Sequence, residues 1–154
     1  MWRSAVVAAG CLLLGACSWS GGNKSGLGSA RADGPGSARD FHVSIGDEVF
    51  FIADSAQLST ESRETLVLQA DWLERYTTFP VIVEGYADEP GSREHNLALG
   101  YRRAEVVKAF LIAKGVPAQR IRIVSYGSDR PVASCKGADC RFANRRTRTV
   151  LAGA

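Results

Sequence analysis

Two adjacent acids and one arginine are the residues with chemistry to offer. Asp88 and Glu89 lie in the turn Ala-Asp-Glu-Pro-Gly, and Arg103 lies farther on in a stretch of helical spacing, among apolar neighbours. A desolvated guanidinium is costly unless an anion meets it. Two uses of these groups are open. In one, Asp88 and Arg103 form an internal salt bridge that holds the turn down. In the other, they line a pocket where Asp88 takes an ammonium and Arg103 a carboxylate, a task that suits a bidentate Arg better than Lys. Asn96 falls two turns before Arg103 on the same helix face. Glu89 reads as a solvated turn residue or a protein contact. A hydrolase would have to use the same groups. Adjacent acids at a strand end point apart, whereas glycoside hydrolysis needs two carboxyls facing each other. His95 has no Ser or Cys in an activating motif. No catalytic residue, metal or cofactor is expected.

These residues need a strand, a turn and a helix to place them. "PVIVEGY" reads as a strand stopped by Gly85, and a helix is expected from Ser92 or Arg93 to Lys114, closed by Gly115 and Pro117. Its stripe Leu97, Ala104, Val107 and Leu111 is core; a second stripe of Leu99, Val106 and Phe110 is interrupted by Arg103. Upstream, Phe41, Val43 and Ile45 alternate, as do the residues around Val49 to Phe51, which predicts one or two short strands. Ser59 caps a helix from Thr60 to about Tyr76 that buries Leu66, Ala70 and Leu73, flanked by Val67 and Trp72. "RIRIVSYG" is a third main strand, Gly127 to Asn144 a long loop, and "RRTRTVLA" a last strand with Thr147, Thr149 and Leu151 on one face. Strands alternating with helices predict an α/β sandwich with at least one parallel pair joined by a right-handed crossover.

Of the 154 residues, 45% are hydrophobic and 23% charged, enough for a packed core. The formal charge is +3 without any run of Lys and Arg, which does not favour nucleic acid. "AVVAAGCLLLGA" is an apolar segment too short to span a bilayer and reads as a secretory signal over residues 1–16. Leu14-Gly15-Ala16-Cys17 resembles the lipobox of bacterial lipoproteins. That resemblance implies cleavage before Cys17, palmitate-type lipidation of Cys17 and, with Ser18 behind it, export to the outer membrane with the domain facing the periplasm. From residue 17 to 39 the chain is a Gly/Ser-rich flexible tether, and the domain is expected over residues 40–154. Cys135 and Cys140, spaced C-x4-C, are read as a disulfide in that oxidising compartment; a metal site and two free thiols are the alternatives, although two Cys are too few for structural zinc.

"VEGYADEPGSREHNLALGYRRAEVV" closely resembles the OmpA-like peptidoglycan-binding domain family. Phe50 to Asp54, Ile121 to Pro131 and Asn144 to Arg146 match further motifs of that family, and the resemblance covers about residues 47–151. It implies a two-layer βαβαβ-type sandwich, a mixed sheet with helices on one face. It also implies a non-catalytic receptor for the diaminopimelate stem peptide of peptidoglycan, with TolB and other Tol proteins of the envelope and cell-division system as partners. Asp88, Arg103, Asn96, Phe51 and Asp54 are the positions that the resemblance assigns to ligand binding. The chain departs from the family pattern at Ile52, Tyr86, Pro90, His95 and Arg148. A lipoprotein that acts only through protein contacts is the alternative function.

Overall fold

A computed structural model of the chain describes residues 34–135 and 137–153. The expected signal, Cys17 and the tether as far as residue 33 lie outside the described residues. Strands β1 (Glu48–Phe50), β2 (Val81–Tyr86), β3 (Ile121–Gly127) and β4 (Arg146–Leu151) form one sheet in the order β1-β4-β2-β3. β2 and β3 run parallel, with Val81 opposite Ile121, and β4 runs antiparallel to both β1 and β2. A parallel pair needs a long crossover, and helix α3 (Arg93–Ala113) supplies it. Helix α2 (Thr60–Arg75) joins β1 to β2. The architecture is the mixed, two-layer α/β arrangement that the sequence predicts.

Both long helices begin where the cap residues indicate. Ser59 Oγ accepts from Ser62 N at 3.1 Å and Ser92 Oγ from His95 N at 3.1 Å, each satisfying a donor that the first turn leaves open. α3 ends as expected: Gly115, at φ 105°, lets the Val116 amide reach back to Leu111 O at 3.1 Å. The last carbonyls of α2 have an unforeseen partner. Arg120 donates to Leu73 O at 2.8 Å, Tyr76 O at 3.2 Å and Phe79 O at 3.0 Å, tying the helix end to the start of β3.

The core is built from the predicted stripes. Leu66, Ala70 and Leu73 of α2 meet Ala104, Val107 and Leu111 of α3 over Val81 and Val83 of β2, all of them buried. Leu97 is only partly buried, because the start of α3 lies at the rim of the sheet. β2 does not stop at Gly85; it continues to Tyr86 with a shift in register against β3. Gly85 serves a different purpose. A Cβ there would fall on the carbonyl of Gly100, and one on Gly100 would lie 2.5 Å from Ser125 Oγ. The two glycines let α3 lie directly on the sheet.

Two local expectations are corrected. Phe41, Val43 and Ile45 are not in a strand: the chain makes a helical turn, α1 (Ala38–Asp40), that widens into a π-helical turn over Phe41–Ile45. Capping overrides the short alternation. Ser37 Oγ accepts from Asp40 N at 3.0 Å, and the Asp40 carboxylate accepts from Gly36 N at 2.9 Å and from the Trp72 indole at 2.8 Å. Phe41 of the alternating set enters the core, tilted on Trp72 at 4.9 Å, and Ile45 packs partly buried against it, while Val43 is 69% exposed. This folded-in segment starts ahead of Asp40. The second correction is α4 (Ala138–Asn144) inside the expected loop. It carries no apolar period, and its Phe142, 53% exposed, stacks on Phe50. The Cys135–Cys140 disulfide, with Cα atoms 5.7 Å apart, fixes its first turn.

The Asp40 contact predicts an acid step. The Trp72 indole N–H, then the Gly36 amide, holds the Asp40 carboxyl below its ordinary range. A carboxylate with a folded pKa below its unfolded value near 3.9 stabilises above that pH and ceases to do so as pH falls through the folded pKa. The Trp72 indole N–H resonance should therefore shift below about pH 4, and Asp40→Asn should abolish that step. A resonance that moves identically in both proteins would show that the bond does not hold the segment.

Candidate functional site

Arg103 is fully buried, its side chain 0% exposed. α3 drives it beneath the acid turn. Its Nε donates to Ser55 O at 2.8 Å, Nη1 to Tyr86 O at 2.9 Å, and Nη2 to Ile52 O at 3.1 Å and Glu89 Oε1 at 3.3 Å. Four of the five guanidinium donors thus have acceptors on three separate chain segments. The Phe51 ring lies under the guanidinium, 5.2 Å from its centroid. Burial lowers the Arg103 pKa, and Glu89 opposes that effect.

The acid at Arg103 is therefore Glu89 and not Asp88. The expectation that Glu89 is a solvated turn residue is overturned: its side chain is 4% exposed. Arg145 holds its other side, with Nε 2.7 Å from Oε1 and Nη2 donating to Oε2 at 3.0 Å. One carboxylate between two guanidiniums satisfies the rule that a buried charge is paired. Asn96 belongs to the same support. Its Oδ1 accepts from Glu89 N at 2.9 Å, and its Nδ2 donates to Glu89 O at 3.0 Å and Ser92 O at 3.1 Å. Phe51 and Asn96 are as deeply buried as Arg103, so these three assigned positions lie behind the turn rather than at its surface. Asp54, at φ 49°, is exposed on the loop after β1 and meets His95 Nε2 at 3.1 Å.

Asp88 points away from Arg103. It is half-buried and lines an open cleft of about 260 Å³ between the acid turn and the loop that follows β3. Its Oδ2 accepts from Asn144 Nδ2 at 2.8 Å. Asn144 is buried, and its amide is fully used: Oδ1 accepts from Val132 N at 2.8 Å and Ala133 N at 3.1 Å, and Nδ2 also donates to Ala133 O at 2.9 Å. It pins the far wall of the cleft to Asp88. Tyr86 lines the same cleft; burial, with the nearby Glu84 carboxylate, pushes its phenol well above the usual tyrosine range. Neither Asn144 nor Arg145 was singled out by spacing. The only signal was the Asn-Arg-Arg stretch at Asn144 to Arg146, which gives no hint of a contact with residues near position 88.

The OmpA family profile matches residues 50–145, from the end of β1 through the acid turn and α3 to Arg145. The chain belongs to the OmpA family. A peptidoglycan-associated lipoprotein of Mesorhizobium japonicum is 50% identical over 129 residues, covering 84% of this chain and 77% of that protein. One from Haemophilus influenzae is 36% identical over 150 residues, 97% of this chain and 96% of its own. Among solved OmpA-like structures, the peptidoglycan-associated lipoprotein from Burkholderia pseudomallei superposes with a TM-score of 0.68 at 30% identity, over 78% of this chain and 98% of that one. The C-terminal domain of Helicobacter pylori MotB, at 23% identity and a TM-score of 0.65 over 70% and 85% of the two chains, shares the fold.

Proposed function

We propose that this OmpA family member is a lipid-anchored envelope protein that holds peptidoglycan non-covalently by the diaminopimelate of its stem peptide. It would tether the outer membrane to the cell wall and work with TolB and other Tol proteins, anchored through Cys17. The names of its relatives, peptidoglycan-associated lipoproteins, support association with peptidoglycan and a lipid anchor, and one observation in the chain carries the reading. Asp88 is a half-buried carboxylate on the wall of an open cleft, held among the described residues by one neutral amide. Such an acceptor is oriented yet uncompensated, which suits an incoming ammonium. In this reading Arg103, Asn96 and Phe51 contribute from beneath. They hold Tyr86 and Glu89, the residues on either side of the Ala87–Asp88 step, in fixed positions. Asp54 and His95 close the loop on the far side of the turn.

Asp88→Asn removes the charge and keeps the shape. It should weaken co-sedimentation with purified diaminopimelate-type cell wall by about tenfold to a hundredfold, the range for hydrogen bonds to charged groups, with the thermal midpoint little changed. Undiminished sedimentation of the variant, or clearing of the wall suspension by the native chain, would overturn the reading.

A further inference from the structure

The Cys135–Cys140 disulfide stands at the wall of the cleft, where Cys135 is one of the lining residues. Cys135 lies just ahead of α4 and Cys140 in its first turn, five residues on. α4 has little else to hold it. Its seven residues are too few for a helix to persist in water by itself. Its N-cap, Gly137, offers no side chain, and Asn144 alone of its residues is buried. None of them belongs to the core. Phe142 adds one exposed stack on Phe50, with ring centroids 5.4 Å apart. Yet the far end of this helix bears Asn144, whose Nδ2 donates to Asp88 at 2.8 Å and whose Oδ1 accepts from the Val132 and Ala133 amides. One covalent bond at the start of α4 therefore braces the amide at its end that fixes Asp88. That bond is open to reagents, because Cys135 is exposed and Cys140 half-buried.

We infer that this disulfide is a redox latch on the cleft: reducing it releases α4, frees Asn144 and weakens the hold on a ligand at Asp88. The effect on binding rests on the receptor reading above; the release of α4 does not. The reductant is a dithiol. Its thiolate attacks the exposed Cys135 Sγ, the S–S bond breaks, and the Cys140 sulfur leaves and takes up a proton. The second thiol of the reductant then displaces Cys135 from the mixed disulfide. The dithiol ends as a disulfide, and the chain has gained two electrons and two protons as two thiols. The bond constrains the open state of one short loop. Its loss loosens α4, while the core between the long helices and the sheet keeps its contacts. An acceptor that is no longer held in place binds more weakly, because the ligand must then order it.

The test compares the full-length chain in detergent, oxidised and after treatment with dithiothreitol, in two measurements. Amide hydrogen exchange followed by NMR should quicken on reduction by about threefold to tenfold at Val132 and Ala133, and stay as it was at Val83 in β2, which is fully buried. Co-sedimentation with purified diaminopimelate-type cell wall should weaken by about the same factor, and recover once the dithiol is removed and the disulfide re-formed. A chain with both Cys135→Ser and Cys140→Ser should match the reduced chain in both measurements and ignore the dithiol. Unchanged exchange at Val132 and Ala133 on reduction would overturn the latch, and so would equal quickening at Val83, which marks general loosening. Quickened exchange with undiminished sedimentation would overturn the coupling to Asp88 and leave the receptor reading standing. An oxidised chain that does not sediment would overturn the receptor reading and the effect on binding together, while the exchange at Val132 and Ala133 still decides the release of α4.

Discussion

Glu89→Ala should cost about 3–5 kcal/mol of folding stability, the range for removing one partner of a buried ion pair. The side chain lies between Arg103, 0% exposed, and Arg145, 16% exposed. Without it, Arg103 keeps its three carbonyl acceptors but loses the one anion bonded to it among the described residues, and two guanidiniums face each other across the vacated space. Arg145 already opposes the charge on Arg103, so its influence would go unanswered. Glu89→Gln separates shape from charge: it keeps the volume and one acceptor, and should cost less than the alanine change. Urea unfolding followed by far-ultraviolet circular dichroism gives both values. A loss below about 1 kcal/mol for Glu89→Ala, the size of a surface pair, would mean that the cluster does not depend on its acid.

Gly85→Ala is the second large effect. Most glycine replacements on a strand are mild, since alanine lowers the entropy of the unfolded chain. Here the new methyl would land on the backbone carbonyl of Gly100, which cannot rotate aside as a side chain can. α3 must lift from β2, and the whole face from Ala104 to Leu111 loses its fit against Val81 and Val83. The loss should reach about 3 kcal/mol, the upper end of ordinary overpacking. Gly153→Ala is the control, because nothing lies within 4 Å of a Cβ at that position, although its φ of 78° adds a local backbone cost. Equal thermal midpoints for the Gly85 and Gly153 variants would show that helix and sheet have room to part.

The long periodic segments were legible because many residues vote together. α2 and α3 each bury a stripe of four or more side chains, and no single contact can reverse such a sum. Phe41 to Ile45 misleads because three alternating residues are a weak signal, easily outweighed by a Ser cap and one carboxylate on Trp72. α4 has no period to read; the bond of its Cys140 to Cys135 and the hydrogen bonds of its Asn144 to Val132 and Ala133 tie it to the preceding loop. At the site, sequence spacing correctly marks Arg103 as a charge needing an anion, and then chooses the wrong acid of two neighbours. Which of Asp88 and Glu89 turns inward depends on Arg145, a residue 56 positions beyond Glu89 whose approach is set by β4 joining β1. Local spacing contains no trace of that pairing.

In the proposed reading, the four acceptors of Arg103 tie the capture of a ligand to the integrity of the whole domain. They come from the loop after β1, the end of β2 and the acid turn, while the donor comes from α3. Arg145, on the other side of Glu89, comes from beyond β3, so a half-folded polypeptide that lacks the start of β4 has only an incomplete version of the turn to offer. The linkage also runs in reverse. A ligand that binds only the assembled turn adds RT ln(1 + [L]/Kd) to the stability of every element at once. A chain engaged with its ligand is by that fact harder to unfold, to pull apart or to cleave than the same chain alone.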